Sequence, residues 1–362
     1  MSKNKILIIG PFPPPITGNS LANQVAFQNL PRYQTNVSVD KINTSYSSFK
    51  EDLGRLSIVK VLHYLKQYVG IIKIFSCDKL YYTSGQTFYG VLKYLPYLLL
   101  AKLLRKEIIV HIHGNYLHTE YESLKGFKRV VFKNTLRLCD KGIVLSKSLR
   151  KNLIPFLKEN KIFELENFVE EYLFEKRITK RHDKLRVIYL SNLMTEKGIF
   201  DLLDALKILC ENNIEFEAKI AGGIDESIKD EINQKLNALP GCVEYLGLVY
   251  GEDKKKLLEW SNVFVFPTYY AMEGQPISIF EAMATGNIIL TTKHAGISDV
   301  FKDGINGFYI EKKSPVLIYK ILAEMSLNMS GYKEISKKNI AESAEKYRVE
   351  FFINKLYQIL NA

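Results

Sequence analysis

The chain has 362 residues, 47% of them hydrophobic and 25% charged, and a formal net charge of +11. That length suits two domains of roughly 150–200 residues, each with its own core, and the composition excludes disordered, collagen-like and coiled-coil proteins. The charge is uneven: residues 1–160 hold 24 basic and 9 acidic side chains, while residues 161–362 hold 26 and 30, so the first half is expected to face an anionic partner.

In chain order, KILIIG (5–10), KLYYT (79–83), EIIVHIH (107–113) and KGIVLS (141–146) read as buried strands. RVIYLS (186–191), EFEAKIAG (215–222), VEYLG (243–247), NVFVFP (262–267) and NIILTT (287–292) repeat the pattern in the second half. Amphipathic stretches at 18–30, 56–75, 121–138, 198–211, 252–260 and 314–328 predict helices between them. Alternation of apolar strands with helices implies α/β domains with parallel sheets covered on both faces. The polar stretch 167–184 reads as a linker, which divides the chain into 1–166, the linker, 185–340, and a closing amphipathic helix within 341–362. Two Rossmann-like domains facing across a cleft would bind ligands at the carboxyl ends of their strands. The apolar start of the chain is too short for a signal-peptide core, and FYGVLKYLPYLLLAKLL (88–104), interrupted by Lys93, Pro96 and Lys102, falls short of a membrane span. Cys77, Cys139, Cys210 and Cys242 lie far apart, the spacing of reduced thiols rather than of a zinc site or a disulfide frame.

The densest chemical signal is PTYYAMEGQPISIFEAMATGNIILTT (267–292). A buried strand ends at Pro267, a loop carries Glu273, Gly274, Gln275 and Pro276, and a helix starts near Ile277 with Glu281 about a turn inside it. Gly274 lets backbone approach a ligand closely, Pro276 presets the entry to the helix, and the amides of its first turn suit an anion. Two glutamates eight apart are common on solvated surfaces; the strand–loop–helix setting is what gives this pair weight.

With its E-x7-E pattern, Glu273 to Glu281, followed by Glu281-Ala-Met-Ala-Thr-Gly286 and the turn Asp303-Gly-Ile-Asn-Gly307, the chain resembles the retaining nucleotide-sugar glycosyltransferases of family four, which have the GT-B fold. The resemblance implies that Glu281 binds the ribose of the donor nucleotide and that Glu273 lies near the transferred sugar. In YLSNLMTEKGIF (189–200) the family's Gly-Arg is replaced by Ser191-Asn192, while Lys197-Gly198 is kept. By resemblance Lys197 holds the donor diphosphate, with Asn192 as an uncharged hydrogen-bonding neighbour. In the first half, PFPPPITGNS (11–20) stands where the family has a glycine-rich loop over the donor, which assigns Gly18 to donor binding. HIHGNY (111–116) places His113 at a strand end, where the family's histidine contacts the transferred sugar, and His111 deeper, in the core. The catalytic set implied is thus Glu273, His113 and Lys197, and the donor-binding set is Gly18, Asn192, Lys197, Gly274, Gln275, Pro276, Ile277 and Glu281.

The chain has no D-x-D, no Walker A and no G-x-G-x-x-G sequence, so no metal ion and no cofactor is expected beyond the nucleotide-sugar substrate. Basic side chains crowd 55–73 (Arg55, Lys60, Lys66, Lys73), 93–106 and 125–151, interleaved with Leu, Ile, Tyr and Phe. That mixture suits an anionic membrane surface better than nucleic acid, for which no binding motif is present. The expected function is hexose transfer, with retention, from a nucleotide diphosphate to a lipid-linked or saccharide acceptor in surface-polysaccharide synthesis, by a cytoplasmic protein peripheral to the inner membrane face. A nucleotide-sugar epimerase of the same fold and a non-catalytic nucleotide-sugar-binding subunit are the alternatives.

Overall fold

The computed structural model describes residues 4–45, 68–175, 178–239 and 241–362. The chain forms two units. The first comprises residues 1–167, 272–275 and 349–362; the second comprises 168–271 and 276–348.

The first unit is built on a six-stranded parallel sheet in the order β2-β1-β3-β4-β5-β6. Its strands are β1 (Asn4–Gly10), β2 (Val37–Asn43), β3 (Lys79–Thr83), β4 (Glu107–Ile112), β5 (Lys141–Val144) and β6 (Ile162–Glu164). The second unit repeats the plan in the order β12-β11-β10-β7-β8-β9. There β7 (Arg186–Leu190), β8 (Glu217–Ala221) and β9 (Val243–Tyr245) lie on one side, and β10 (Val263–Phe266), β11 (Ile288–Thr292) and β12 (Gly307–Ile310) on the other. Every pairing is parallel. The central strands are apolar on both faces because helices cover both, and Ile108–Val110 and Val263–Phe266 are wholly buried.

The strands β2, β6 and β12 were not among those expected, and all three lie at sheet edges. One face of an edge strand meets water: VSVDKIN alternates rather than running apolar, and β6 is three residues long. The single helix expected over 121–138 is two, Leu117–Ser123 and Gly126–Leu136, with Leu124 and Lys125 extended between them and Gly126 at φ +54°. The apolar run near residue 90 supplies Phe88–Leu92 and Leu95–Leu103. Of the helix expected over 56–75, residues 56–67 lie outside the described residues, as do Arg55, Lys60 and Lys66; Tyr68–Ser76 forms a 3-10 run. Lys176 and Arg177 of the expected linker lie outside them too.

The last helix, Val349–Asn361, belongs to the first unit. It buries Phe352, Ile353, Leu356, Ile359 and Leu360, and its carbonyl end is met by two amines, Lys79 on the Leu360 oxygen and Lys141 on the Ile359 oxygen at 3.2 Å. Cations there complement the helix dipole. The same amines hold Glu107, at 2.9 Å from Lys79 and 2.7 Å from Lys141. Burial works to raise the Glu107 carboxyl, but the two lysines outweigh it and keep its pKa below the ordinary value. Lys141→Met should therefore lower the unfolding free energy by about 2 kcal/mol in urea titrations. It should also weaken the share of stability that exists above the carboxylate range and fades as the pH falls through the lowered pKa of Glu107.

Candidate functional site

In the first unit the loops at the carboxyl end of the sheet are tied to one another. Asn23 donates to the Thr83 hydroxyl at 2.8 Å and to the Pro11 carbonyl at 2.9 Å, joining the loop after β1 to the end of β3. Thr17 caps the helix Gly18–Tyr33 through reciprocal bonds with Ser20, so Gly18 is that helix's first residue. β4 ends at Ile112, and His113 is the first residue beyond it.

His113 stacks on His111, with ring centroids 3.9 Å apart. The wholly buried His111 takes the Tyr81 hydroxyl on Nδ1 at 2.6 Å. Burial raises the pKa of Tyr81, so the phenol keeps its proton. Burial also keeps both imidazoles neutral, holding His111 well below its ordinary pKa and His113 down at about 3. Neither ring nitrogen of His113 has a hydrogen-bond partner among the described residues.

Residues 272–275 pack with the first unit, although the chain on either side belongs to the second. A Cβ at Gly274 would fall on the His113 carbonyl oxygen, so only glycine allows this approach. Gln86 donates to the Met272 carbonyl at 3.2 Å and accepts from the Tyr116 amide at 2.6 Å. Asn167 donates its side-chain amide to the Gln275 carbonyl at 2.7 Å. Glu273 is therefore carried on backbone pinned beside His113.

The second unit holds the other expected residues. Lys197 ends a short turn after β7, and its amine donates to the Ser191 hydroxyl at 3.1 Å, beside the exposed Asn192. Gly198 has φ +76°, and a Cβ there would strike Pro267, so glycine is required at this position by the close pairing of the loops after β7 and β10. The helix Ile277–Ala284 begins directly after Pro276, and no side chain caps it, so no side-chain oxygen occupies its first-turn amides.

Glu281, on that helix, is 3% exposed and meets the Lys254 amine at 2.6 Å. Lys254, on the helix Gly251–Trp260, also reaches Glu170 at 3.4 Å and stands 5.7 Å from the centre of the Tyr172 ring. Burial opposes its charge, but Glu281 and Glu170 outweigh burial and raise its pKa. Burial likewise pushes the Glu281 carboxyl upward, with Lys254 opposing it. The pair is best read as a full ion pair, because Lys254 faces two carboxylates and has every reason to keep its proton.

Gln86, Asn167 and the Lys254–Glu170 pair were not among the expected residues. Lys254 sits in a Lys254-Lys255-Lys256 run that reads as a solvated face, and only the helical phase separates the half-buried Lys254 and buried Lys255 from the exposed Lys256.

The family model described as Glycosyl transferases group 1 matches residues 172–346. Apart from residues 272–275, the matched stretch lies in the second unit. The amylovoran biosynthesis glycosyltransferase AmsK of Erwinia amylovora is 27% identical over 151 residues, 40% of this chain and 37% of its own length. An uncharacterized glycosyltransferase of Methanocaldococcus jannaschii is 24% identical over 315 residues, 85% of this chain and 84% of its own. Among solved structures, Anabaena HepE in complex with UDP and glucose covers 99% of both chains with a TM-score of 0.73 at 15% identity. That likeness carries the fold: two Rossmann-like α/β units of the GT-B kind, as the resemblance implied.

Two outcomes test the geometry. Lys254→Met strands the Glu281 carboxylate in the interior and should destabilise the protein by about 3 kcal/mol, whereas Lys254→Met combined with Glu281→Leu should recover most of that loss. Calorimetric melts of both variants measure it. Because His111 and His113 stay neutral in the native state, acid protonates the unfolded chain first. Stability should be flat above the ordinary histidine pKa of about 6.5 and fall as the pH drops from there toward 3. His113→Asn should make that fall shallower.

Proposed function

We propose that the chain is a retaining, family-four glycosyltransferase that moves a hexose-type sugar from a nucleotide-diphosphate donor to a hydroxyl of a lipid-linked or saccharide acceptor. The observation that carries the reading is Glu281, a buried carboxylate on the helix that follows β10, inside the stretch matched by the glycosyltransferase family model. A carboxylate accepts both hydroxyls of a cis-diol, which suits a ribose. Lys197 and the first-turn amides of Ile277–Ala284 supply positive potential for the diphosphate, with Asn192 as a neutral donor beside them. Gly18, Gly274, Gln275 and Pro276 complete the donor-binding set. His113, held neutral, can hydrogen-bond a sugar hydroxyl without adding charge, and Glu273 lies near the transferred sugar. No metal or cofactor enters the scheme. With no protein nucleophile assigned, retention follows from front-face attack, the departing phosphate oxygen taking the acceptor's proton.

The relatives' names point to surface polysaccharides, AmsK to amylovoran and CapM of Staphylococcus aureus to capsule. The acceptor is then lipid-linked or a growing glycan, and the enzyme works at the cytoplasmic face of the membrane, peripherally bound.

Thermal-shift melts against a panel of nucleoside diphosphates, UDP included because HepE was solved with it, should show one that stabilises the protein. Glu281→Ala should weaken that nucleotide about 10- to 100-fold, the worth of a hydrogen bond to a charged group. Glu273→Ala and His113→Ala should cut turnover more than donor binding. If all three variants keep wild-type kinetics, these assignments fail. Conversion of the donor with no acceptor present would mark an epimerase; binding without turnover on any acceptor extract would mark a binding subunit.

A further inference from the structure

Three neighbouring elements of the first unit line one outer face: Tyr68–Ser76, the pair Phe88–Leu92 and Leu95–Leu103, and Gly126–Leu136. They are joined sideways. The Tyr68 and Tyr97 rings lie 5.2 Å apart, the Tyr68 hydroxyl donates to the Lys93 carbonyl at 2.8 Å, and the Lys128 amine lies 5.7 Å from the centre of the Phe88 ring. Their inner sides enter a single core cluster. Their outer sides do not resemble an ordinary surface. Ile72 and Phe75, Leu99 and Leu103, and Phe127 and Val130 are all more than half exposed, from 53% at Leu99 to 80% at Phe127.

Charge singles out the same face. Residues 68–76, 88–106 and 125–139 contain ten lysines and arginines and no acidic residue. Among the described residues, Asp40 pairs with Lys73 and Asp140 with Lys102. The others include the exposed Lys125 and Lys128, on either side of Phe127. Large apolar side chains among an excess of cations match the interface of an anionic bilayer, where apolar groups enter the acyl boundary and lysines stay with the headgroups. Among the described residues no helix is long and apolar enough to cross a membrane, so the contact is interfacial. A second copy of the chain is a poor occupant, since a symmetric interface would press two basic faces together.

We infer that this face docks the protein on anionic lipid, with Phe127, Leu103 and Phe75 as its apolar anchors. The inference rests on the membrane partner in the reading above and deepens it by naming the surface and giving it an apolar component that salt does not screen.

The test is co-sedimentation of the full chain with vesicles of phosphatidylcholine alone or with phosphatidylglycerol, at low and high salt. Wild type should bind the anionic vesicles, lose affinity severalfold at high salt, and keep a measurable remainder. Leu103→Ser with Phe127→Ser should cut binding at least tenfold and abolish that remainder, while Lys125→Glu with Lys128→Glu should act mainly at low salt, at about fivefold per lysine. Both variants change exposed side chains only, so their melting temperatures and nucleoside-diphosphate shifts should match wild type. Equal binding to both kinds of vesicle, no binding to anionic vesicles, or a concentration-dependent dimer that the Leu103→Ser/Phe127→Ser pair dissolves would each overturn the proposal. Vesicle binding without any nucleotide-induced shift would instead keep the surface and remove the enzymatic reading.

Discussion

Parallel pairing is the constraint from which the rest of the molecule follows. All ten strand pairings run in one direction, so each strand must be followed by a crossover that covers a sheet face. With both faces covered, the middles of the central strands are mostly apolar. Polar groups accumulate at the ends instead, and the carboxyl ends within each sheet all point the same way. That is why His113, Lys197 and the loop before Ile277 each come directly after a strand or its turn.

The same constraint explains what could be read from the amino-acid sequence. Central strands announce themselves as unbroken apolar runs, and the first residues beyond them, such as His113 and the Glu273 loop, are legible by position. Three of the four edge strands are not: β2 buries only Val37 and Ile42 and reads like a loop, whereas the edge strand β9 was expected from VEYLG. Side chains that work at a distance are the hardest to see. Gln86 lies in a Thr-Ser-Gly-Gln-Thr loop with nothing to distinguish it, yet it ties the Tyr116 amide to the Met272 carbonyl, 186 residues away along the chain from Gln86. Asn167 opens a stretch that reads as a plain linker, and its amide holds Gln275. Such roles depend on which loops meet in space, and no local pattern encodes that.

Lys254 is the more instructive omission. The replacement of the family's arginine by Asn192 left one expected cation, Lys197, beside the diphosphate. The structure adds a second partly buried lysine, but Lys254 is committed to carboxylates: two of them, Glu281 and Glu170, balance it. Glu281 thus has one oxygen engaged before any ligand arrives. If it also binds a ribose, its second oxygen and any freedom of Lys254 to shift must accommodate both hydroxyls. The ion pair then does more than stabilise. It keeps a buried carboxylate ionised, and an ionised carboxylate is the form that accepts hydroxyl protons.

The net charge of +11 divides along the same lines. In the second unit, cations are matched locally: Arg186 with Asp183 and Glu217, Lys235 with Asp204, Lys219 with Glu244. A pattern of closed pairs produces little field at a distance, so an anion arriving there must be met by specific groups rather than by bulk potential. In the first unit, the outer-layer segments 68–76, 88–106 and 125–139 carry ten basic residues and no acidic one, so their fields add. Uncompensated charge costs a folded protein self-repulsion. Its concentration on a face that also exposes Phe127 and Leu103 is hard to explain by folding, because neither feature strengthens the core. Both lose their cost once a surface of opposite charge and apolar depth is present.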